Sequence, residues 1–370
     1  MKLERVELFV VRLPLKRAYE TSGSRETHQT HVLARAESEG AVGWGESVAP
    51  EQPWYSGETP KTVWHALDEV ILPQLLNEEL AKPADTDAKI GWIREHRMAK
   101  ATIEMAIWDL FAKREGMSLS TLLGGTRDRI LCGVAIGIHP TVEALIETIE
   151  RELAGGSLRV KLKIKPGADG HVAEAVRNRY PDLAFMLDAN SAYTLADLAL
   201  FKRIDAYHPT MIEQPLAYDD IVDHATLQKE ITTPICLDES IHTGDDARKA
   251  IEIGATRIVN IKPGRVGGHA SAKRVHDACA GSGVPVWCGG MLEFGIGRAH
   301  NVHLASLPNF SLPGDVSASE RYFETEIIGE PFIVGTDGTM QVPTGPGIGV
   351  TVLEDLIRTL ALQTKEYRPE

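Results

Sequence analysis

Lys163, Asp188, Glu213 and Asp238 stand 25 residues apart in each step, and Lys262 follows after 24 more. Each closes a short apolar run: VKLK, FMLD, MIE, ICLD and VNIK. Three carboxylates converging on one place repel one another and take up protons unless a cation neutralises them. Lysines can supply that charge. Three oxygen donors with open positions beside them also suit Mg²⁺, which binds few protein ligands and keeps room for water or substrate oxygens. A metal so placed acts as a Lewis acid on a substrate carboxylate and makes the α-proton acidic enough for an amine to remove. With a lysine on either side, one could take a proton from one face and the other return it to the opposite face. Alternatively, one lysine could take the proton and help a β-hydroxyl leave from the same face. Lys163 needs a depressed pKa for this work, and the neighbouring Lys161, the metal and partial burial all push that way.

The elements that must hold these groups follow from the pattern around them. RVKLKIKPG sets lysines at 161, 163 and 165 against aliphatic residues at 160, 162 and 164. In a strand, this alternation puts Lys161 and Lys163 on one face and the apolar residues on the other, packed on helices. Lys165 then reads as solvated or paired at a loop entry. From Cys132 onward seven apolar runs alternate with helical stretches, which calls for a parallel sheet. This many units favour a closed β/α barrel over an open one. A step of about 25 residues is one strand, one helix and two loops, so each charged residue is expected at the same height, at the C-terminal ends where barrel enzymes place their chemistry.

Upstream, VELFVVRLPL, HVLARAES and AVGWGES read as strands, the last two joined by a Glu-Gly turn. MAKATIEMAIWDLFAKREG reads as a helix with Ile103, Ala106, Ile107, Leu110 and Phe111 on one face and Gly116 as its C-terminal cap. The expected organisation is an α+β capping domain over 1–125 and a β/α barrel over 126–318. The tail, 319–370, is expected to end in a helix, VLEDLIRTLAL, and to pack back on the capping domain. Its PTGPGIGV is not a dinucleotide fingerprint, because Val350 fills the last position and no strand–turn–helix unit surrounds it.

With 370 residues, 43% of them hydrophobic, the chain can fill a large core. Its net charge of −13, with no long basic run, argues against nucleic acid and acidic membrane surfaces and for a small-molecule substrate. The N-terminal apolar run is broken by Glu7 and Arg12, so no signal-peptide core is expected and the cytoplasm is the expected compartment. Cys132, Cys236, Cys279 and Cys288 are scattered and read as small buried hydrophobes. His300 and His303 share a helix face without an acidic partner, so packing or surface roles are expected rather than metal binding.

In these motifs the chain resembles the enolase superfamily, muconate-lactonising subgroup. The likeness covers nearly all of it: GWGES and MAIWDL, then KLK, LDAN, IEQP, LDES and NIKPGRVGG. VKLKIKPG, PICLDESI, PVWCGGMLE, GIGRAHN and LPNFSLPGDVSAS are similar to its o-succinylbenzoate synthase and N-succinylamino acid racemase branch. The resemblance implies a TIM-like (β/α)7β barrel with a capping domain completed by the C-terminal tail. It also implies Mg²⁺, replaceable by Mn²⁺ or another divalent ion, on Asp188, Glu213 and Asp238. Lys163 and Lys262 would be the acid/base pair with Lys161 in support; in the dehydration Lys262 would serve chiefly as a cation beside the enediolate. The implied substrate is a small-molecule carboxylate, and a homo-oligomer is expected.

Asn190 and Glu239 are expected to orient ligands or pair with lysines, an ordinary helix N-cap being the other reading of Asn190. Arg265 could lower the pKa of Lys262 as a nearby cation or bond a loop carbonyl. Tyr19, Trp54 and Tyr55 are expected in loops of the first domain, either closing over the barrel mouth or packing between domains. Ala135, Gly290, Met291, Leu292 and Phe294 are expected to shape the pocket; Ala135 and Phe294 depart from the family's usual residues. Asp315 lacks a second aspartate two residues later, which argues against the dipeptide epimerases of the family. Cycloisomerisation, a barrel aldolase using Lys163 or Lys262 as a Schiff base, and a catalytically silent metal-binding or assembly protein are the other readings.

Overall fold

A computed structural model describes residues 1–21, 23–167 and 169–369. The strands in chain order are β1 (Arg5–Glu20), β2 (Arg25–Ser38), β3 (Ala41–Glu46), β4 (Arg129–Leu131), β5 (Val134–Ile136), β6 (Val160–Lys163), β7 (Phe185–Asp188), β8 (Ile212–Glu213), β9 (Ile235–Leu237), β10 (Ile258–Ile261), β11 (Val286–Cys288), β12 (Thr339–Gln341) and β13 (Ala361–Tyr367).

The first sheet is antiparallel, in the order β13-β1-β2-β3. Glu39 and Gly40, at φ 52° and 76°, supply the two left-handed residues that a tight hairpin between β2 and β3 requires. Beneath β3 runs the Arg97–Arg114 helix. A Cβ on Gly43 would lie 2.0 Å from the Ala106 carbonyl oxygen, and one on Gly45 2.0 Å from that of Thr102. The glycines of VGWGE therefore let the strand lie directly on the helix backbone. This helix departs from the one-faced expectation: from Met98 to Phe111 every residue but Lys100 is buried. The sheet covers one side, and the Pro263–Val266 and His269–Gly281 helices of the second domain cover the other. Gly116, at φ 62°, is left-handed just past its end.

The second sheet is parallel and runs β5 to β11 in sequence order. Between its edges lies the segment around 310–315. Phe310 bridges Val286, Gly314 bridges Cys132, and Asp315 N–H donates to the Cys288 carbonyl at 2.8 Å. The fold is thus α/β and TIM-like, with a mostly antiparallel N-terminal domain. Lys163, Asp188 and Glu213 are register neighbours. Glu213, however, pairs with Cys236, so Asp238 stands two residues further along. Equal spacing in sequence is not equal height, because the strands of a barrel are staggered. Below the charged residues Met186, Met211, Cys236, Ile258 and Trp287 form a buried apolar floor.

The tail also departs from expectation. Its helix ends at Leu360, and the chain continues as β13, antiparallel to β1 from Val6↔Tyr367 to Val11↔Ala361. All four cysteines are buried and free. Among the described residues no helix is long and apolar enough to cross a membrane.

Candidate functional site

Lys161 and Lys163 point to the same face of β6, as alternation requires; Lys161, Asp188, Glu213, Asp238 and Lys262 are buried, and Lys163 is partly buried beside them. Lys163 Nζ lies 2.6 Å from both Asp188 Oδ2 and Asn190 Oδ1. Lys161 Nζ is 3.1 Å from Asp188 Oδ2, 3.2 Å from Glu213 Oε2 and 2.5 Å from Asp315 Oδ2. On the far side Lys262 Nζ is 2.7 Å from Asp238 Oδ2 and sits over the Tyr55 ring, 4.5 Å from its centre.

Charge balance in this dry space explains the titration directions. Burial, with Asp188 beside it, pushes the Glu213 carboxyl well above the usual range. Burial also opposes charge on Asp188 and Asp238. There the cations win: Lys163 and Lys161 hold Asp188 far down, and Lys262 and Arg265 hold Asp238 at about 2. Lys262 shows the reciprocal effect, for burial works against its charge and Asp238 outweighs it, raising its pKa. Among the described residues no three acidic, histidine or cysteine side chains stand ready-made around one point as a metal cage. Asp188 and Asp238 turn their oxygens to ammonium and guanidinium groups instead.

Arg265 bonds carbonyls, as one reading expected, but the pKa of Lys262 beside it is raised rather than lowered. The Arg265 guanidinium pairs with Asp238 and donates to the carbonyls of Ile241 and Asn260, at 2.7 and 2.5 Å. Asn190 is not a helix N-cap, since Thr194 takes that place before the next helical turn. Asn190 adopts a left-handed φ of 43° and bridges Lys163 to Glu239 through its side chain. Glu239 is raised to about 7 by burial, followed by Asp238 and Asp188.

Tyr55 lies in the turn region expected for it, and its hydroxyl donates to Asp238 Oδ1 at 2.9 Å. Trp54 stacks edge-on against it and donates to Glu26 at 3.2 Å. Tyr19 differs from expectation in lying within β1, whose long hairpin with β2 carries it to the barrel. Tyr19, Trp54, Tyr55, Ala135, Gly290, Met291 and Leu292 all border the pocket above the lysines. Phe294 does not. It is fully buried against His31 and Phe323, 4.3 and 5.1 Å between ring centres, because it begins the Gly295–Leu304 helix and that helix packs on the first domain. Lys165 pairs with Glu20 at 3.3 Å. His300 and His303 are buried and hydrogen-bonded to Trp44 and Ile348 carbonyls.

Sequence reasoning missed several partners. Asp315 lies between Arg159 and Lys161 and ties both down. Asn260 donates to Glu213 Oε1 at 2.7 Å, and the Trp287 ring lies beneath Arg159 and Lys161. Gln214 of IEQP accepts from the Asp238 and Ser240 amides and so fixes the turn that carries Asp238. The available signal was alternation: Asn260 is two residues before Lys262 on the same face of its strand.

Residues 5–124 match the model of the mandelate racemase / muconate lactonizing enzyme N-terminal domain, and 144–356 that of the enolase C-terminal domain-like family. An o-succinylbenzoate synthase from Geobacillus kaustophilus is 51% identical over 353 residues, covering 95% of this chain and 94% of its own. An N-succinylamino acid racemase from Thermus thermophilus is 49% identical over 350 residues, 95% of each. A solved enolase-superfamily structure from Listeria innocua superposes with a TM-score of 0.96 at 40% identity, covering 100% of this chain and 99% of that one.

Proposed function

Since this chain belongs to the mandelate racemase / muconate lactonizing enzyme family of the enolase superfamily, we propose that it removes a proton α to a carboxylate, making o-succinylbenzoate, racemising N-succinylamino acids, or both. That it is an enzyme follows from relatives at about 50% identity over nearly the whole chain. The finer reading of the fold is a (β/α)7β barrel.

The observation that carries the proposal is the placement of Lys163 and Lys262. They end the second and sixth strands of a parallel series whose eighth place is held by 310–315, so they stand on opposite sides of the mouth. A substrate between them offers one face of its α-carbon to each. Lys163 takes or returns the proton on one face, with Asn190 and Asp188 fixing its amine. Lys262 does so on the other, or remains protonated beside the developing negative charge during dehydration, which its raised pKa favours. Lys161 stays charged behind Lys163.

The donor set fits a divalent cation. Burial and the neighbouring Asp188 push the Glu213 carboxyl well above its usual range, a crowding of negative charge that a cation would relieve, and hard oxygen donors suit Mg²⁺, or Mn²⁺ in its place. Asp188, Glu213 and Asp238 would hold it, and when bound it would supply Lewis acidity toward the substrate carboxylate.

Two other readings lose support. Asp315 is committed to Arg159 and Lys161, so it is poorly placed to hold a substrate ammonium as a dipeptide epimerase would. The Schiff-base aldolase reading draws no support from relatives at about 50% identity, which are named o-succinylbenzoate synthase and N-succinylamino acid racemase. The test is kinetics with Mg²⁺ on the cyclohexadiene precursor of o-succinylbenzoate and on a panel of N-succinylamino acids, with α-proton exchange followed in D₂O. Turnover of either substrate is expected; absence of turnover and of exchange with all of them refutes the proposal.

A further inference from the structure

We propose that the open groove beside the catalytic pocket receives the far end of a substrate's N-acyl group, and that it accepts acyl chains longer than succinyl that end in a carboxylate. The inference rests on the N-acylamino acid reading above. The pocket over the lysines encloses about 70 Å³, too little for a long acyl chain, whereas the groove encloses about 660 Å³. The two adjoin: Tyr19, Ala135, Ser317 and Tyr322 border both. At the junction Ala135 contributes a single methyl, and the Tyr19 and Tyr322 rings meet edge to face at 6.0 Å.

The groove follows the line where the β1–β2 hairpin meets the barrel. Ile138 N–H donates to the Glu20 carbonyl at 3.2 Å, and Lys16 N–H donates to that of Tyr322 at 2.8 Å. A Cβ on Gly137 would stand 2.8 Å from the Glu20 carbonyl oxygen, so glycine is what allows this approach.

Its walls carry five cations, Lys16, Arg17, Arg25, Arg151 and Arg321, against three carboxylates, Glu20, Glu152 and Glu320. That is an excess of two positive charges on a chain whose net charge is −13. The carboxylates are mostly engaged already. Glu152 holds Arg321 at 2.6 Å, and Glu20 holds Lys165 at 3.3 Å. Among the described residues Arg17 and Arg25 form no ion pair with a carboxylate, and the buried Nε of Arg321 has no hydrogen-bond partner.

A bifunctional anion satisfies both ends of this space. Its α-carboxylate belongs with the lysines, its methylenes pass over the Ala135 methyl beside the paired tyrosine rings, and its terminal carboxylate meets Arg17 and Arg25. A neutral tail leaves those guanidiniums without a partner, and an amine-ended tail is repelled.

The experiment uses the whole enzyme with Mg²⁺ and one amino acid, phenylalanine, carrying succinyl, adipoyl, hexanoyl or 6-aminohexanoyl on nitrogen. Kd by calorimetry and kcat/KM for α-proton exchange are measured at low and high salt. Expected is an adipoyl-over-hexanoyl preference of tenfold or more that shrinks with salt, with adipoyl at least equal to succinyl. In the exposed double variant Arg17→Glu/Arg25→Glu the preference falls to about one or inverts toward the aminohexanoyl compound. Adipoyl binding no tighter than hexanoyl, a tenfold preference for succinyl over adipoyl, or a preference that survives the double variant overturns the proposal. Charge-dependent binding without exchange keeps the groove and removes the reaction; exchange without charge preference does the reverse.

Discussion

On the proposed mechanism, replacing one of the two opposed lysines removes one face of the reaction. In Lys163→Ala, α-proton exchange from one enantiomer of an N-succinylamino acid should fall roughly 10²–10⁴-fold, and in Lys262→Ala the loss should move to the other enantiomer. Proton NMR in D₂O on each pure enantiomer reads this directly; equal losses for both enantiomers in both variants would count against opposed amines. Asp315 poses a different question. Burial opposes its charge, yet Lys161 and Arg159 hold its carboxyl below the usual range, so the three charges stand or fall together. Asp315→Asn leaves two buried cations short of a counter-charge and should lower unfolding free energy by about 3–5 kcal/mol in urea titrations. The five charged residues of the mouth were legible in sequence because they recur at one strand–helix period. Asp315 and Trp287 were not, because each reaches the site from a part of the barrel whose proximity only closure creates, whereas Asn260 shares the strand face of Lys262 and was within reach of alternation alone.

At the scale of elements, the two domains are joined by carboxylates of one that cap helices of the other. Glu46 at the end of β3 is fully buried and accepts from the Phe294 and Gly297 amides, both at 2.7 Å, at the start of the Gly295–Leu304 helix, while His31 bonds it from the side. Glu104 does the same for the His269 and Ala270 amides. Glu46→Ala orphans two buried donors and should lower stability by about 2–4 kcal/mol, as loss of charge-assisted bonds does. Gly45→Ala should be worse, because its methyl meets helix backbone at 2.0 Å rather than a side chain that can turn aside; thermal unfolding of the two variants tests the order. The same elements show where periodicity fails. β1 to β3 were readable from apolar runs and a turn, but β13 exposes most of ALQTKEY and carries no alternation to read. The 97–114 helix looked one-faced because an apolar stripe was sought in a sequence that is buried on both sides.

For the whole molecule, the seam between the domains is lined with histidines that the fold keeps neutral. His300 Nε2 faces the Trp44 carbonyl at 2.8 Å and must donate, so its Nδ1 accepts from His269 Nε2 at 2.9 Å. His303 faces the Ile348 carbonyl with Nε2 at 3.0 Å and accepts the Ser120 amide with Nδ1, also at 3.0 Å. A proton added to either acceptor nitrogen would set donor against donor. Burial accordingly lowers the pKa of all three, to about 4 for His303. Between the ordinary histidine value of about 6.5 and pH 4 the unfolded chain binds protons that the folded one refuses, so stability rises with pH across that window and falls on acidification. From His303 alone the loss from pH 6.5 to 4 is about 3 kcal/mol. Urea unfolding at pH 7 and pH 4.5 should therefore show a large drop, and His303→Gln, which can still offer an amide donor and a carbonyl acceptor, should start less stable yet lose less between the two. An unchanged pH slope in that variant would place the acid sensitivity elsewhere than in this seam.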